Sequence, residues 1–210
     1  MSSFLWYKAH GIIIVLCNFA HMEDLRIICT GDLHGAFMPY DLINHRPMPG
    51  TMARIAHYVD RLRQDLGHRV VLLDNGDILQ GQPSCYYCNF IHPELPNVAA
   101  EITNYLHYDA QTIGNHDIET GHAVFDKWKA ENQCPILGAN VITSATGQPY
   151  FKPYTILIKA GLRIAVVGML TPTIAHWLHP SIFSGLHFES MVDTAKFWIE
   201  YIRQNERPDL

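Results

Sequence analysis

The chain has 210 residues, enough for one core-bearing domain, since single domains commonly run about 100–200 residues. Hydrophobic residues make up 48% and charged residues 17%, a balance that excludes a chain too polar to bury a core. A net charge of −5 without a run of Lys or Arg excludes a nucleic-acid backbone as the main partner, because neutralising phosphates takes clustered positive charge. Any phosphate bound here is expected to meet metal ions instead.

Lys8 and the short apolar run Gly11 to Ala20 have the basic start and core of a secretory leader, at about 7–15 residues too short to span a bilayer. Two readings stand: residues 1–21 are a leader, which favours a periplasmic or secreted protein, or translation starts at Met22, which favours the cytoplasm. The remainder, residues 22–210, is then the folded part, with no linker or repeat inside it.

Leu25 to Thr30 is an apolar run that opens into Gly31-Asp32-Leu33-His34-Gly35, which predicts a buried strand followed by a glycine-bounded loop. Met52, Ile55, Ala56, Val59, Leu62 and Leu66 follow helical spacing, with Thr51 as the cap and Gly67 as the stop. Val70 to Leu73 is a second strand that opens into Asp74-Asn75-Gly76-Asp77. After a helix over residues 97–106, Ala110 to Ile113 repeats the pattern and opens into Gly114-Asn115-His116-Asp117. Thr120 to Asn132 predicts another helix and Pro135 to Gly138 a strand. Residues 154–158 and 163–168 read as a hairpin turning at Gly161, and residues 189–205 as an amphipathic helix through Met191, Val192, Ala195, Phe197, Trp198 and Ile202. Strands alternating with helices imply a mixed α/β sheet with polar loops gathered at the strand carboxyl ends, where sites of such folds lie.

The three loops carry hard or borderline metal ligands, and imidazole is the commonest transition-metal ligand. Asp32 and His34 stand two apart as the chain leaves a strand, so both can face one ion with an oxygen and a nitrogen. Asp77 has two carboxylate oxygens and can bridge to a second ion, to which Asn115 offers a neutral carbonyl oxygen. Two ions about 3.5–4 Å apart can activate water and clamp phosphoryl oxygens. His116 is placed to protonate a leaving alcohol, with Asp117 and Glu119 as the carboxylates near enough to fix its tautomer. Gln80 and Gly81 read as loop geometry, with shaping of the phosphate site as the alternative, and Tyr86, Tyr87, Phe90 and Trp128 as packing residues rather than base-stacking platforms. Cys85-x-x-Cys88 lacks the second pair that a structural zinc needs and reads as loop or core cysteines.

At these positions the chain resembles the calcineurin-like metallophosphoesterase family, whose D-x-H, G-D and G-N-H-[DE] signature is matched by Asp32-Leu33-His34, Gly76-Asp77 and Gly114-Asn115-His116-Asp117. Asn75 to Gly81, Gly50 to Arg54 and Gly138-Ala139-Asn140 resemble its 5'-nucleotidase and 2',3'-cyclic-nucleotide phosphodiesterase branch. The resemblance implies a two-sheet α-β-β-α sandwich, incomplete at its C-terminal end. It also implies two divalent ions, zinc, manganese or similar, on Asp32, His34, Asp77 and Asn115, with His116 as the catalytic histidine and a nucleotide or other phosphate ester as substrate. Two departures stand out: Glu119 occupies the place where the branch commonly has an aspartate, and the family's later histidine and G-H-x-H ligands find no match here. The expectation is therefore a metal-dependent phosphoesterase, with a weakly metal-binding, non-catalytic fragment as the alternative for this chain alone.

Overall fold

The computed structural model describes residues 4–9, 12–17 and 24–210. Strands β1 (Phe4–Ala9) and β2 (Ile12–Cys17) form an antiparallel hairpin, and β2 pairs antiparallel with β3 (Leu25–Thr30). A short ribbon of β4 (Tyr40–Asp41) and β5 (Arg46–Pro47) precedes helix α1 (Met52–Leu66) and strand β6 (Val70–Asp74). Helix α2 (Pro83–Tyr86) runs into a wide turn over Tyr87–Ile91 and is followed by α3 (Val98–Tyr105) and β7 (Ala110–Thr112). Two helices, α4 (Asn115–Glu119) and α5 (His122–Glu131), then lead to β8 (Ile136–Leu137). Beyond it come β9 (Val141–Thr143), β10 (Gln148–Pro149), the hairpin β11 (Tyr154–Lys159) and β12 (Leu162–Val167), α6 (Ile174–Trp177), β13 (Leu186–Phe188) and α7 (Met191–Asn205).

The main sheet has the order β1-β2-β3-β6-β7-β8, and its last four strands are parallel. Parallel pairing sends the loops after β3, β6 and β7 to the same end of the sheet, which is where the three motifs meet. The alternation of β6 explains the layers. Val70 and Leu72 share one core with Met52, Ile55 and Val59 of α1, Ala99 and Ala100 of α3, and Phe125 and Trp128 of α5. Val71 and Leu73 point the other way, against Leu162 and Ile164 of β12. The hairpin β11–β12 is thus a second sheet laid on the first, and Trp198 and Tyr201 of α7 pack on Tyr154 of β11 with ring centroids 5.6 and 6.3 Å away. This is the helix, sheet, sheet, helix layering expected; a three-stranded piece, β10-β9-β13, stands as a separate sheet.

Local chemistry set most of the boundaries, and three places differ from expectation. Thr51 is the N-cap of α1, yet its side chain makes no cap bond; the amides of Met52 and Ala53 donate to the carbonyls of Ala36 and Phe37 at 2.9 and 3.0 Å. The first loop, rather than the threonine, therefore caps the helix. The helix expected over Thr120 to Asn132 forms as α5 but starts two residues later, at His122, because Gly121 takes a left-handed φ of 80°; the short α4 before it was not expected. Helix α7 buries Thr194 and Ile202, whereas Met191, Val192 and Phe197, expected on its core face, are exposed. The expected hairpin turn falls at Ala160-Gly161, both with positive φ as a two-residue primed turn requires.

Among the described residues no helix is long and apolar enough to cross a membrane. The leader reading rests on residues 1–21, of which only the two strands within 4–9 and 12–17 are described.

Candidate active site

Asp32, His34 and Asp77 all adopt left-handed φ, at 54°, 47° and 61°. Such a conformation costs a non-glycine residue about 1–3 kcal/mol and persists where surrounding structure dictates it, Asp and His being among the side chains that tolerate it best. Here the dictation is visible. The amide of Asp32 donates to the carbonyl of Gly76 at 3.0 Å, that of His34 to the carbonyl of Asp77 at 2.8 Å, and that of Asn75 to the carbonyl of Thr30 at 2.7 Å. The first two loops are therefore stitched together backbone to backbone.

The third loop is brought in by glycine and by one buried acid. A Cβ on Gly114 would lie 2.2 Å from Oδ1 of Asp77, so no larger residue fits between the two loops. Gly114 has φ −93°, open to any residue, and space alone demands glycine there. Asp117 is fully buried and accepts four backbone amides: Ile78 and Leu79 on Oδ1, Asp77 and Gly114 on Oδ2, each at 2.9 Å. Burial pushes its carboxyl above the usual carboxylate range, against the pull of those amides. Of the two carboxylates expected beside His116, Asp117 is therefore a brace between loops, because its oxygens are taken up by backbone donors. Glu119 reaches the ring, with Oε2 2.8 Å from Nδ1 of His116.

At the surface of this brace lies a cluster. One ligand atom each from His34, Asp77 and His116 fall within 4.8 Å of one another, and the rings of His34 and His116 meet edge to face at 5.0 Å. The amide of His116 donates to Oδ1 of Asp77 at 2.8 Å. Burial and the charge of Asp117 raise the Asp77 carboxyl, and the hydrogen bond that the His116 ring donates to Glu119 raises that imidazole. Asn115 opens α4 immediately before His116 and is half-buried. Asp32 is exposed and lies outside the tight cluster; with His34 it lines an adjoining cleft of about 630 Å³ whose other wall includes Met48, Thr51, Arg54 and Tyr58. Beneath the loops, Asp74 accepts from the Thr30 hydroxyl at 2.5 Å and from the Gly76 amide at 2.9 Å, and burial pushes its pKa up to about 7.

The donors that converge here, a carboxylate oxygen of Asp77 and imidazole nitrogens of His34 and His116, are of the kind that suit a divalent transition ion. The sequence offered Gln80 only as loop geometry or a shaper of the phosphate site, whereas its Nε2 lies 2.7 Å from Nδ1 of His116 and 2.6 Å from Oε2 of Glu119. No periodicity marks it; the signal was its position three residues past Asp77 in the same loop. Trp128 is buried as expected, whereas Tyr86, Tyr87 and Phe90 are about half exposed, at 59%, 50% and 45%. Cys85 is buried against Gly35, and its thiol is pushed up to about 12 by burial, which suits a core residue rather than a nucleophile.

A largely parallel sheet bearing an acid and imidazole cluster on three strand-end loops defines an α/β protein with a candidate metal centre. The calcineurin-like phosphoesterase family profile matches residues 25–209, and the chain belongs to that family. The 5'-nucleotidase of Vibrio cholerae is 33% identical over 189 residues, covering 89% of this chain and 32% of that protein. The 2',3'-cyclic-nucleotide 2'-phosphodiesterase/3'-nucleotidase of Yersinia enterocolitica is 31% identical over 198 residues, covering 86% of this chain and 29% of that protein. The chain thus spans about a third of the length of these curated relatives. Among solved structures, the calcineurin-like phosphoesterase YfkN from Bacillus subtilis superposes with a TM-score of 0.78 at 27% identity, over 89% of this chain and 60% of that one.

Proposed function

We propose that these residues form the leading part of a two-metal centre that hydrolyses phosphate esters, with nucleotides of the 5'-nucleotidase or 2',3'-cyclic phosphodiesterase kind as substrates. The observation that carries the proposal is the convergence of three loops, distant in sequence, on one cluster of His34, Asp77 and His116. The nucleotide substrate is suggested by the activities named for the Vibrio and Yersinia relatives. Asp32, His34 and Asp77 would hold one ion, and Asp77 with Asn115 the other. Bound there, the ions would supply Lewis acidity toward the phosphoryl oxygens and an activated water.

The chain's own residues supply the rest. Glu119 holds Nδ1 of His116, which leaves Nε2 as the nitrogen to give a proton to the departing alcohol. Loops fixed by buried backbone bonds keep the donors in place before substrate arrives, so little reorganisation is needed. Three protein donors with a water match the number a catalytic zinc takes, whereas two leave the other ion short. The second ion is therefore expected to need further donors, and these residues alone are expected to bind it weakly and turn over slowly.

The test is phosphate release from AMP and from 2',3'-cyclic AMP with added Mn²⁺. Metal-dependent release that is abolished in both Asp77→Ala and His116→Ala supports the proposal. Release that survives chelation, or protein that holds its metal yet cleaves no phosphate ester, overturns it.

A further inference from the structure

Gln80 belongs to neither the brace nor the proposed ligand set, yet its side-chain nitrogen touches two polar groups of the third loop. Nε2 is 2.7 Å from Nδ1 of His116 and 2.6 Å from Oε2 of Glu119, while those two atoms are 2.8 Å from each other. The three atoms form a closed triangle. An amide nitrogen carries two hydrogens and accepts nothing, so only the orientation with Nε2 toward Glu119 works; the reverse would set a carbonyl oxygen against a carboxylate.

We propose that Gln80 is a positioning residue for His116, locking Glu119 and the imidazole into one unit so that the ring presents its other nitrogen to the cluster. The proposal rests on the reading of His116 as proton donor. When Nδ1 has a free lone pair, one amide hydrogen of Gln80 goes to it and the other to Glu119. When Nδ1 carries a hydrogen, that hydrogen goes to Glu119 and Gln80 keeps its bond to the carboxylate. In both states Gln80 holds Glu119, whose long side chain would otherwise keep several rotamers on a helix of little more than one turn. His34, edge-on at 5.0 Å, flanks the same ring. Gln80 comes from the loop after β6 and Glu119 from α4, so the ring is gripped by two elements rather than one.

Two readouts test this on the full protein. The first is His116 ring mobility by ¹³C relaxation at Cε1, measured in chelator without turnover; the second compares an alkyl phosphate with p-nitrophenyl phosphate, whose leaving group departs without a proton. Gln80→Ala is expected to loosen the ring. It is expected to lower kcat on the alkyl ester about 10–100-fold, within the span general acids contribute, and on the aryl ester less than about 3-fold, with KM little changed. Gln80→Glu, which sets a second carboxylate against Glu119, is expected to be no better than the alanine variant. A ring as ordered in Gln80→Ala as in the parent overturns the positioning role, whatever the activity. A loosened ring with equal losses on both esters leaves the positioning intact and overturns instead the proton-donor reading of His116. A gross loss of thermal stability in Gln80→Ala moves both measurements to Gln80→Met, which keeps the bulk without the amide, and the same outcomes then decide.

Discussion

Replacing Asp117 by Asn changes one oxygen into an NH₂ group inside a fully buried site, where four amides already depend on the two oxygens. Whichever way the new side chain turns, either Ile78 and Leu79 or Asp77 and Gly114 lose their acceptor. A buried donor left without a partner costs about 1–3 kcal/mol, so two cost about 4. The neutral side chain avoids burying a charge, the effect that raises the Asp117 carboxyl, which brings the expected net loss to about 3 kcal/mol. Domains of this kind have only about 5–15 kcal/mol in total. With a urea slope of about 2 kcal/mol/M, the midpoint should fall by about 1.5 M. Urea unfolding followed by the fluorescence of Trp128, which is completely buried, measures the shift. A loss below about 1 kcal/mol would refute the reading of Asp117 as the brace between loops and reopen it as a partner of His116.

Gly114→Ala should act on the same junction by steric pressure alone, since its Cβ would meet Oδ1 of Asp77 at 2.2 Å and the backbone nitrogen of Asp77 at 2.4 Å. A loss of roughly 2–4 kcal/mol is expected in thermal or urea unfolding, as for other overpacked sites; a neutral substitution would mean that the loops are not in contact. Asp74 sets a pH dependence. Its pKa is raised to about 7 in the fold, so its neutral form is the favoured one, and the stability it contributes is present below its ordinary value near 4 and lost as pH rises toward 7. Asp74→Asn keeps an acceptor for Gly76 and cannot ionise; its stability relative to the parent should improve by at most about 1.4 kcal/mol per pH unit between roughly pH 4 and 7, then stay level. A difference that is flat across that window would contradict the buried-acid assignment.

Much of the fold was legible because three of the four parallel strands open into a loop that carries glycine and an acid, as at Thr30-Gly31-Asp32 and Asp74 to Asp77. Local periodicity also placed α1 to within one residue, since its Gly67 stop needs a positive φ. What escaped was non-local. The role of Asp117 depends on amides 38 to 40 residues away, and nothing in the spacing distinguishes a carboxylate turned inward from its neighbour Glu119, turned toward His116. The pairing of Gln80 with His116 and Glu119 escaped for the same reason, since these partners lie 36 and 39 residues along the chain. The hairpin of β1 and β2 was read only as an apolar run, because a stretch of that length carries no period that separates a strand from a leader. Conversely, the apolar spacing of α7 overstated its burial: Val192 and Phe197 are about 60% exposed, at 62% and 60%.

The central claim is that Asp77 joins two ions on loops brought together by the sheet. Titrating Mn²⁺ into the protein and into Asp32→Ala, Asn115→Ala and Asp77→Ala, with binding read by calorimetry, tests it directly. Asp32→Ala and Asn115→Ala should each weaken one binding event, and Asp77→Ala should remove both, with unfolding transitions near that of the parent. Undiminished binding of two equivalents by Asp77→Ala would contradict the claim.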